Sequence, residues 1–425
     1  MRENFLHYIW EHKKFDTSDL KTINGEAINI VSTGQHNLNS GPDFFNSQLK
    51  TDEQFWAGNV EIHMNSSDWY IHNHENDRAY DNVILHVVWK YDTDIYRKDN
   101  TVISTLELKE YVSKSTLNNY EKLFSKSQKW INCEHDFSTV DDFLIESWLE
   151  RLYFERLERK YIDIVNLLEY ETNNWEAVLF KMLFKSFGLK VNAVSFLSIA
   201  NSFDFSVLKK SQSKLASIEA LFFGQAGLLE NDFQDTYYIK LQNEYQFLMQ
   251  KFNLNTIGVI PLKFFRLRPP NFPTIRLSQF AKLYYTRQNL FSIVIENHSK
   301  EEFYTLLISD TSEYWQTHYA FGKTSKPSKK RLTKQFVDLL LINTIIPIKF
   351  SFAKYQGKDI NDEIIKLISE ISSEKNSIVE TFNTLKPVSK SAIQSQGLIQ
   401  LKANYCDKNK CLQCEIGNSL LTGID

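Results

Sequence analysis

Phe55-Trp56-Ala57-Gly58-Asn59-Val60-Glu61-Ile62-His63-Met64 is the stretch on which the reading of this chain turns. From residue 60 it alternates, with Val60, Ile62 and Met64 on one side and Glu61 and His63 on the other, which is the two-residue period of a β-strand. One face is apolar and suited to a core; the other sets a carboxylate beside an imidazole. Upstream, Ala27 to Val31 and Phe44 to Leu49 are short β-prone runs parted by the turn-rich stretch Asn37 to Gly41. Before them, Phe5, Leu6, Ile9 and Trp10 recur at helical spacing. Downstream, Ser66-Ser67-Asp68 offers capping chemistry for a helical or turn segment to about Asp81. Val83-Ile84-Leu85-His86-Val87-Val88-Trp89 then reads as a strand buried on both faces. The expected order is helix, three strands, helix or turn, strand. A further strand, Val102 to Leu108, and a helix near Thr116 to Phe124 complete a mixed α/β (α+β) domain over residues 1–138.

Beyond Asp141 the period changes to that of helices. Leu144, Trp148, Leu152, Phe154 and Leu157 recur among Glu and Arg, and Asn173 with Glu176 resembles a capping box ahead of Ala177 to Phe187. Tyr237 to Phe252, Phe336 to Leu341 and Glu363 to Leu385 continue the pattern, so residues 139–425 are expected to form a mainly helical domain that carries a C-terminal Cys motif. With 42% hydrophobic and 24% charged residues the chain is ordinary globular protein, which excludes fibrous and largely disordered classes. Lys plus Arg (49) nearly balance Asp plus Glu (52), so any contact with nucleic acid needs a local basic patch. No run reaches 18 uninterrupted apolar residues and Glu3 and His7 interrupt the start, so the expectation is a cytoplasmic protein with no membrane partner. Trp56, Trp69 and Trp89 are expected in the core.

Groups able to hold metal are concentrated between residues 41 and 89: Asp43, Glu61, His63, Asp68, His72, His74, Asp77 and His86. Pro42-Asp43, seventeen residues, then Glu61-Ile62-His63 resembles the motif of the PD-(D/E)xK nuclease superfamily, with His63 where that pattern has Lys. The resemblance implies a restriction-endonuclease-like αβββαβ core, Asp43 and Glu61 as ligands of Mg²⁺ or Mn²⁺, and His63 orienting or activating water. Such chemistry needs a cation because the phosphodiester is anionic and water is a weak acid. Glu107-Leu108-Lys109 is a more literal Glu-x-Lys but lies beyond the fourth strand and is set aside. Plainer roles stand beside these: Ser66, Ser67 and Asp68 as caps, His72 and His74 as exposed polar groups, and His86 as a buried, satisfied histidine.

Cys406, Cys411 and Cys414 form C-x4-C-x2-C, and the remaining cysteine is Cys133, so the arithmetic is that of a four-thiolate site for Zn²⁺ or a [4Fe-4S] cluster. Two segments offer phosphate contacts: Arg266, Arg268 and Arg276 around the Pro-rich loop that includes Phe272, and Lys329, Lys330 and Arg331 in a denser basic run. The run from Trp56 to Trp69, with His72-Asn73-His74 and Val83 to Val88, is similar to a bacterial family known as domain of unknown function 2851. That resemblance covers most of the chain, including the C-terminal cysteines, and implies no established activity. The leading expectation is a metal-dependent nuclease whose partner is nucleic acid, DNA before RNA. A His/Asp-ligated Zn²⁺ or Fe²⁺ enzyme of another class, and a non-catalytic nucleic-acid-binding protein on an inactivated nuclease scaffold, are the alternatives.

Overall fold

The computed structural model describes residues 1–51, 54–125 and 129–422. Helix α1 (Glu3–Glu11) buries Phe5, Leu6, Ile9 and Trp10, the stripe its sequence spacing predicts. It is followed by β1 (Leu20–Lys21), β2 (Ala27–Ser32), β3 (Gln35–His36), β4 (Phe44–Thr51) and β5 (Gln54–Asn65). Helix α2 (Asp68–Ile71) and two 3₁₀ turns lead to β6 (Val83–Lys90), and β7 (Thr105–Glu107) and α3 (Lys114–Leu123) follow. The strands form one sheet in the order β1-β2-β4-β5-β6-β7, with β3 pairing on β4. Neighbours from β1 to β5 are antiparallel, whereas β5/β6 and β6/β7 are parallel, because the chain between β5 and β6 crosses over rather than turning back.

Both faces of β5 are covered at its centre. Val60 and Ile62 join Phe5, Leu6, Ile9, Leu85 and Val87 in one apolar core. On the other side Trp69, Tyr80, Val83, Ile95 and Ile103 form a second, smaller cluster. Glu61 and His63 are therefore buried, not merely turned away from a core. Trp69 is buried as expected, but Trp56 lies 46% exposed, its indole N–H donating to Thr51 Oγ1 at 3.0 Å. Ser66 and Ser67 do not cap α2. Ser66 Oγ donates to Asp92 Oδ1 and accepts the amides of Asp92 and Thr93, while Ser67 donates its amide and hydroxyl to the Asp92 carboxylate. The pair lashes the start of the crossover to the loop after β6.

The chain divides into two compact units: residues 1–148, 381–386 and 400–425, and residues 149–380 and 387–399. The Cys motif therefore folds with the sheet unit and not with the helical one, and the division falls later than residue 138. The second unit is helical around a core rich in rings, with Phe180, Phe184, Phe222 and Phe280 in mutual contact and Phe196 against Phe184. Its helix Trp175–Phe187 is capped by Asn174, which accepts from the Ala177 amide, one residue later than the spacing predicts; Glu176 instead accepts from the Phe291 amide. The run Glu363 to Leu385 is broken into helices Asn361–Ser369 and Ser377–Leu385. Lys334–Tyr355 is long and apolar enough to cross a membrane, yet most of it is buried inside this unit, as a core helix is. It holds a π-helical turn, Leu341–Ile345, just before Pro347, whose missing N–H breaks the regular α ladder.

Candidate metal centre

Asp43 sits immediately before β4 and Glu61 lies in β5, and the register Phe44↔Val60 brings them beside each other. Each carboxylate accepts an amide from the other's segment: Asp43 N–H donates to Glu61 Oε2 at 3.1 Å, and Ile62 N–H donates to Asp43 Oδ2 at 2.9 Å. Their separation in sequence is closed by ordinary hairpin pairing, and their side chains are fixed by charge-assisted bonds. From α1, His7 Nε2 lies 3.4 Å from Asp43 Oδ2 and 4.0 Å from Glu3 Oε1.

The remaining imidazoles gather on the other oxygen of Glu61. His63 Nε2 is 3.4 Å and His74 Nε2 3.2 Å from Glu61 Oε1. His63 Nε2 also lies 3.0 Å from His72 Nδ1, and His63 Nδ1 lies 2.8 Å from His86 Nε2. Asn73 adopts a left-handed conformation (φ +59°), which a short amide side chain tolerates, and this turn lets His72 and His74 converge on His63. Tyr80 stacks on the His74 ring at 3.8 Å. Donor atoms of His63, His72 and His74 all lie within 4.8 Å of one another. His72 is exposed and Asp43 keeps 20% of its side chain accessible, so the cluster is reached from solvent there.

Electrostatics follow from burial. The Glu61 carboxyl is pushed up to about 9 by desolvation and by the Asp43 charge. Burial, aided by His86, His74 and His72, pulls His63 down to about 2, and burial pulls His86 down to about 3. His74 is lowered too, again by burial first. Burial opposes the charged form of His7, but Asp43, Glu3 and Glu61 outweigh it and hold its pKa above the ordinary histidine value.

These groups fit a cation. His7 Nε2, His74 Nε2 and His86 Nδ1 are buried with no hydrogen-bond partner, although the first two face carboxylate oxygens at 3.2 to 3.4 Å. Imidazole and carboxylate ligands about 2.0–2.2 Å from one ion stand roughly 2.9–3.5 Å from each other in octahedral or tetrahedral geometry. The observed separations fall within that range, and the unpartnered Nε2 atoms of His7 and His74 are ones a cation would use.

Not every residue singled out from sequence joins the cluster. Asp68 accepts the Asn65 amide at 2.9 Å, closing the turn into α2. Asp77 accepts the Ala79 amide and caps a 3₁₀ turn. His86 is a buried support behind His63. His63 itself is hemmed in by His86, His72 and Glu61, which leaves it shaped to hold rather than to deprotonate water. His7 was not among the sequence candidates; its signal is a Glu3/His7 pair one turn apart on an otherwise apolar helix. In the second unit Arg276 and Lys330 are buried. Arg276 bonds Gln279 and Asn271 and lies over Phe336, and Lys330 donates to the Gln316 carbonyl, so neither is free for phosphate. Phe272 packs against the helical core and Phe264, which removes it as a base-stacking platform. Arg266, Arg268, Lys329 and Arg331 remain exposed.

The four cysteines are free thiols, and all four line one cavity. Burial pushes each above the ordinary cysteine value, Cys414 to about 11.

Fold and site together define a mixed α/β protein whose sheet carries a buried cluster of imidazoles and carboxylates able to hold a metal. The chain belongs to the family described as Protein of unknown function (DUF2851), whose pattern matches residues 3–377. None of the curated proteins and none of the solved structures compared with the chain matches it. The family match takes in the whole histidine–carboxylate cluster and Cys133 but ends before Cys406, so it does not extend to the C-terminal cysteines as expected.

Proposed function

We propose that the sheet unit is a metal-dependent phosphodiesterase acting on nucleic acid, a nuclease in which Asp43 and Glu61 hold a divalent cation and His7 stands against Asp43. The observation that carries this reading is the reciprocal bracing of Asp43 and Glu61 across β4 and β5 with an imidazole aimed at Asp43. A cation bound there would neutralise the phosphate and lower the pKa of the attacking water. A pair of carboxylates accepts Mg²⁺ or Mn²⁺, and the imidazole beside Asp43 favours Mn²⁺. Glu61 gives up its proton to receive the ion, His63 and His74 fix its second oxygen, and the exposed edge near Asp43 and His72 admits substrate. The expected partner is DNA before RNA, with Arg266, Arg268, Lys329 and Arg331 as candidate phosphate contacts. Four free thiols fit a reducing compartment, the cytoplasm.

The test uses labelled single- and double-stranded DNA and RNA with Mn²⁺, Mg²⁺ or chelator. Cleavage is expected with Mn²⁺ and is expected to fall roughly 100-fold or more in Asp43→Ala and Glu61→Ala, as several kcal/mol of charge stabilisation is lost. Undiminished cleavage in both variants would sink the assignment. The His63/His72/His74 triad favours a second reading, a Zn²⁺ or Fe²⁺ enzyme of another class with Glu61 as fourth ligand. Stoichiometric zinc or iron lost in His72→Ala and His74→Ala, with no cleavage of any nucleic acid, would select it.

A further inference from the structure

The chain has four cysteines, and the fold brings all four to one place. Cys133 lies in the turns after α3, Cys406 ends the π-helical turn Lys402–Cys406, Cys411 opens a 3₁₀ turn, and Cys414 stands at the entry to helix Glu415–Thr422. All belong to the sheet unit. They share one cavity whose other walls are mostly apolar, including Leu123, Ile131, Leu401 and Ile416.

Cysteines serving only as small apolar residues would have no reason to be so collected, nor to be supplied with hydrogen-bond donors. Here Asn132 Nδ2 donates to Cys411 Sγ at 3.3 Å, and the backbone amides of Ile416 and Gly417 donate to Cys414. A neutral thiol is a weak acceptor; such donors are suited to thiolate ligands, whose charge they stabilise. Gly417 makes the approach possible, since a Cβ there would lie 2.1 Å from the Cys411 carbonyl oxygen.

The spacing of the sulfurs discriminates between metals. Among the described residues, the set of three or more potential ligands whose donor atoms all fall within 4.8 Å is His63, His72 and His74; the thiols around their cavity do not meet that limit. A single zinc about 2.3 Å from each sulfur draws four thiolates to roughly 3.8 Å from one another. An iron–sulfur cubane places each thiolate on a different iron and needs a wider ring with room at its centre. We infer that Cys133, Cys406, Cys411 and Cys414 ligate a [4Fe-4S] cluster that pins residues 400–422 to the sheet unit. Each thiol gives up its proton on ligation, and the cluster is assembled from two ferrous ions, two ferric ions and four sulfides supplied by the cell. The inference is independent of the nuclease reading.

Full-length protein purified without oxygen is expected to be brown, with about four iron and four acid-labile sulfide per chain and visible absorption that bleaches on reduction. Cys406→Ser and Cys411→Ser should each lose most of that iron and colour, while Asp43→Ala should retain both. Because a cysteine variant can fail to fold, the wild-type chain provides a second readout. Chelator-stripped protein should release its C-terminal segment to limited proteolysis and regain protection on anaerobic reconstitution with ferrous and ferric iron and sulfide. Stoichiometric zinc without sulfide, or failure to take up iron and sulfide under those conditions, would overturn the assignment.

Discussion

Glu61 accepts the Asp43 amide through one oxygen and faces His63 and His74 through the other, so its protonation controls the whole cluster. Its carboxyl is raised from an ordinary 4.5 to about 9, so the metal-free folded chain keeps a proton that the unfolded chain releases, and stability falls as pH rises through that window. His63 and His86 are depressed from 6.5 to about 2 and about 3, so the unfolded chain binds protons that the folded chain refuses, and stability falls as pH drops below 6.5. Between 4.5 and 6.5 two imidazoles oppose one carboxylate, which puts the maximum of this cluster's own contribution near pH 6.5. His74 adds to the acid limb and His7 to the alkaline one. Denaturant unfolding in chelator across this range should show both limbs, and Glu61→Gln should flatten the alkaline one; an unaltered alkaline limb in that variant refutes the account. His86→Ala removes the ring that orients His63 without touching the pocket's open side. Its metal affinity should drop by about 10- to 100-fold in titrations followed by calorimetry.

At the scale of elements, the site depends on how closely β5 and β6 approach. Gly58 lies just before the point, between Asn59 and Val60, where their register shifts, and a Cβ there would meet Ile84 Cγ2 at 2.4 Å and the Asn82 carbonyl at 2.7 Å. Gly58→Ala should therefore cost about 1–3 kcal/mol in equilibrium unfolding, since backbone has to move to relieve the contact. The strands themselves were legible: Phe44 to Leu49, Phe55 to Met64 and Val83 to Trp89 coincide with β4, β5 and β6 because alternation and β-branched content are local properties. Local spacing points Ser66 and Ser67 to a capping role, whereas their partner, Asp92, lies about 25 residues away and carries no local signal. His7 was missed for the same reason, as its meaning comes from Asp43 across the fold.

For the whole molecule, the sheet unit is discontinuous, and its last segment supplies Leu421 and Cys411 to the same core as α1 and β5. Ending the chain at residue 399 should therefore destabilise the sheet unit, lowering the unfolding midpoint of the N-terminal transition, while the helical unit keeps its own. Unchanged unfolding of the sheet unit after truncation would count against this division. From order along the chain, the C-terminal cysteines were assigned to the helical unit; nothing local distinguishes a helix that stays with its predecessors from one that returns to an earlier core.

Sequence alone determined the strand and helix periods, the candidate carboxylates at Asp43 and Glu61, and the inventory of imidazoles and thiols, because these depend on residue type and near-neighbour spacing. Tertiary structure decided that His7 joins them, that Asp68 and Asp77 serve turns, that Arg276 and Lys330 are spent in the interior, and that Cys133 meets the C-terminal trio. Those outcomes depend on long-range packing, in which burial and the direction of a side chain are fixed by partners that spacing along the chain does not encode.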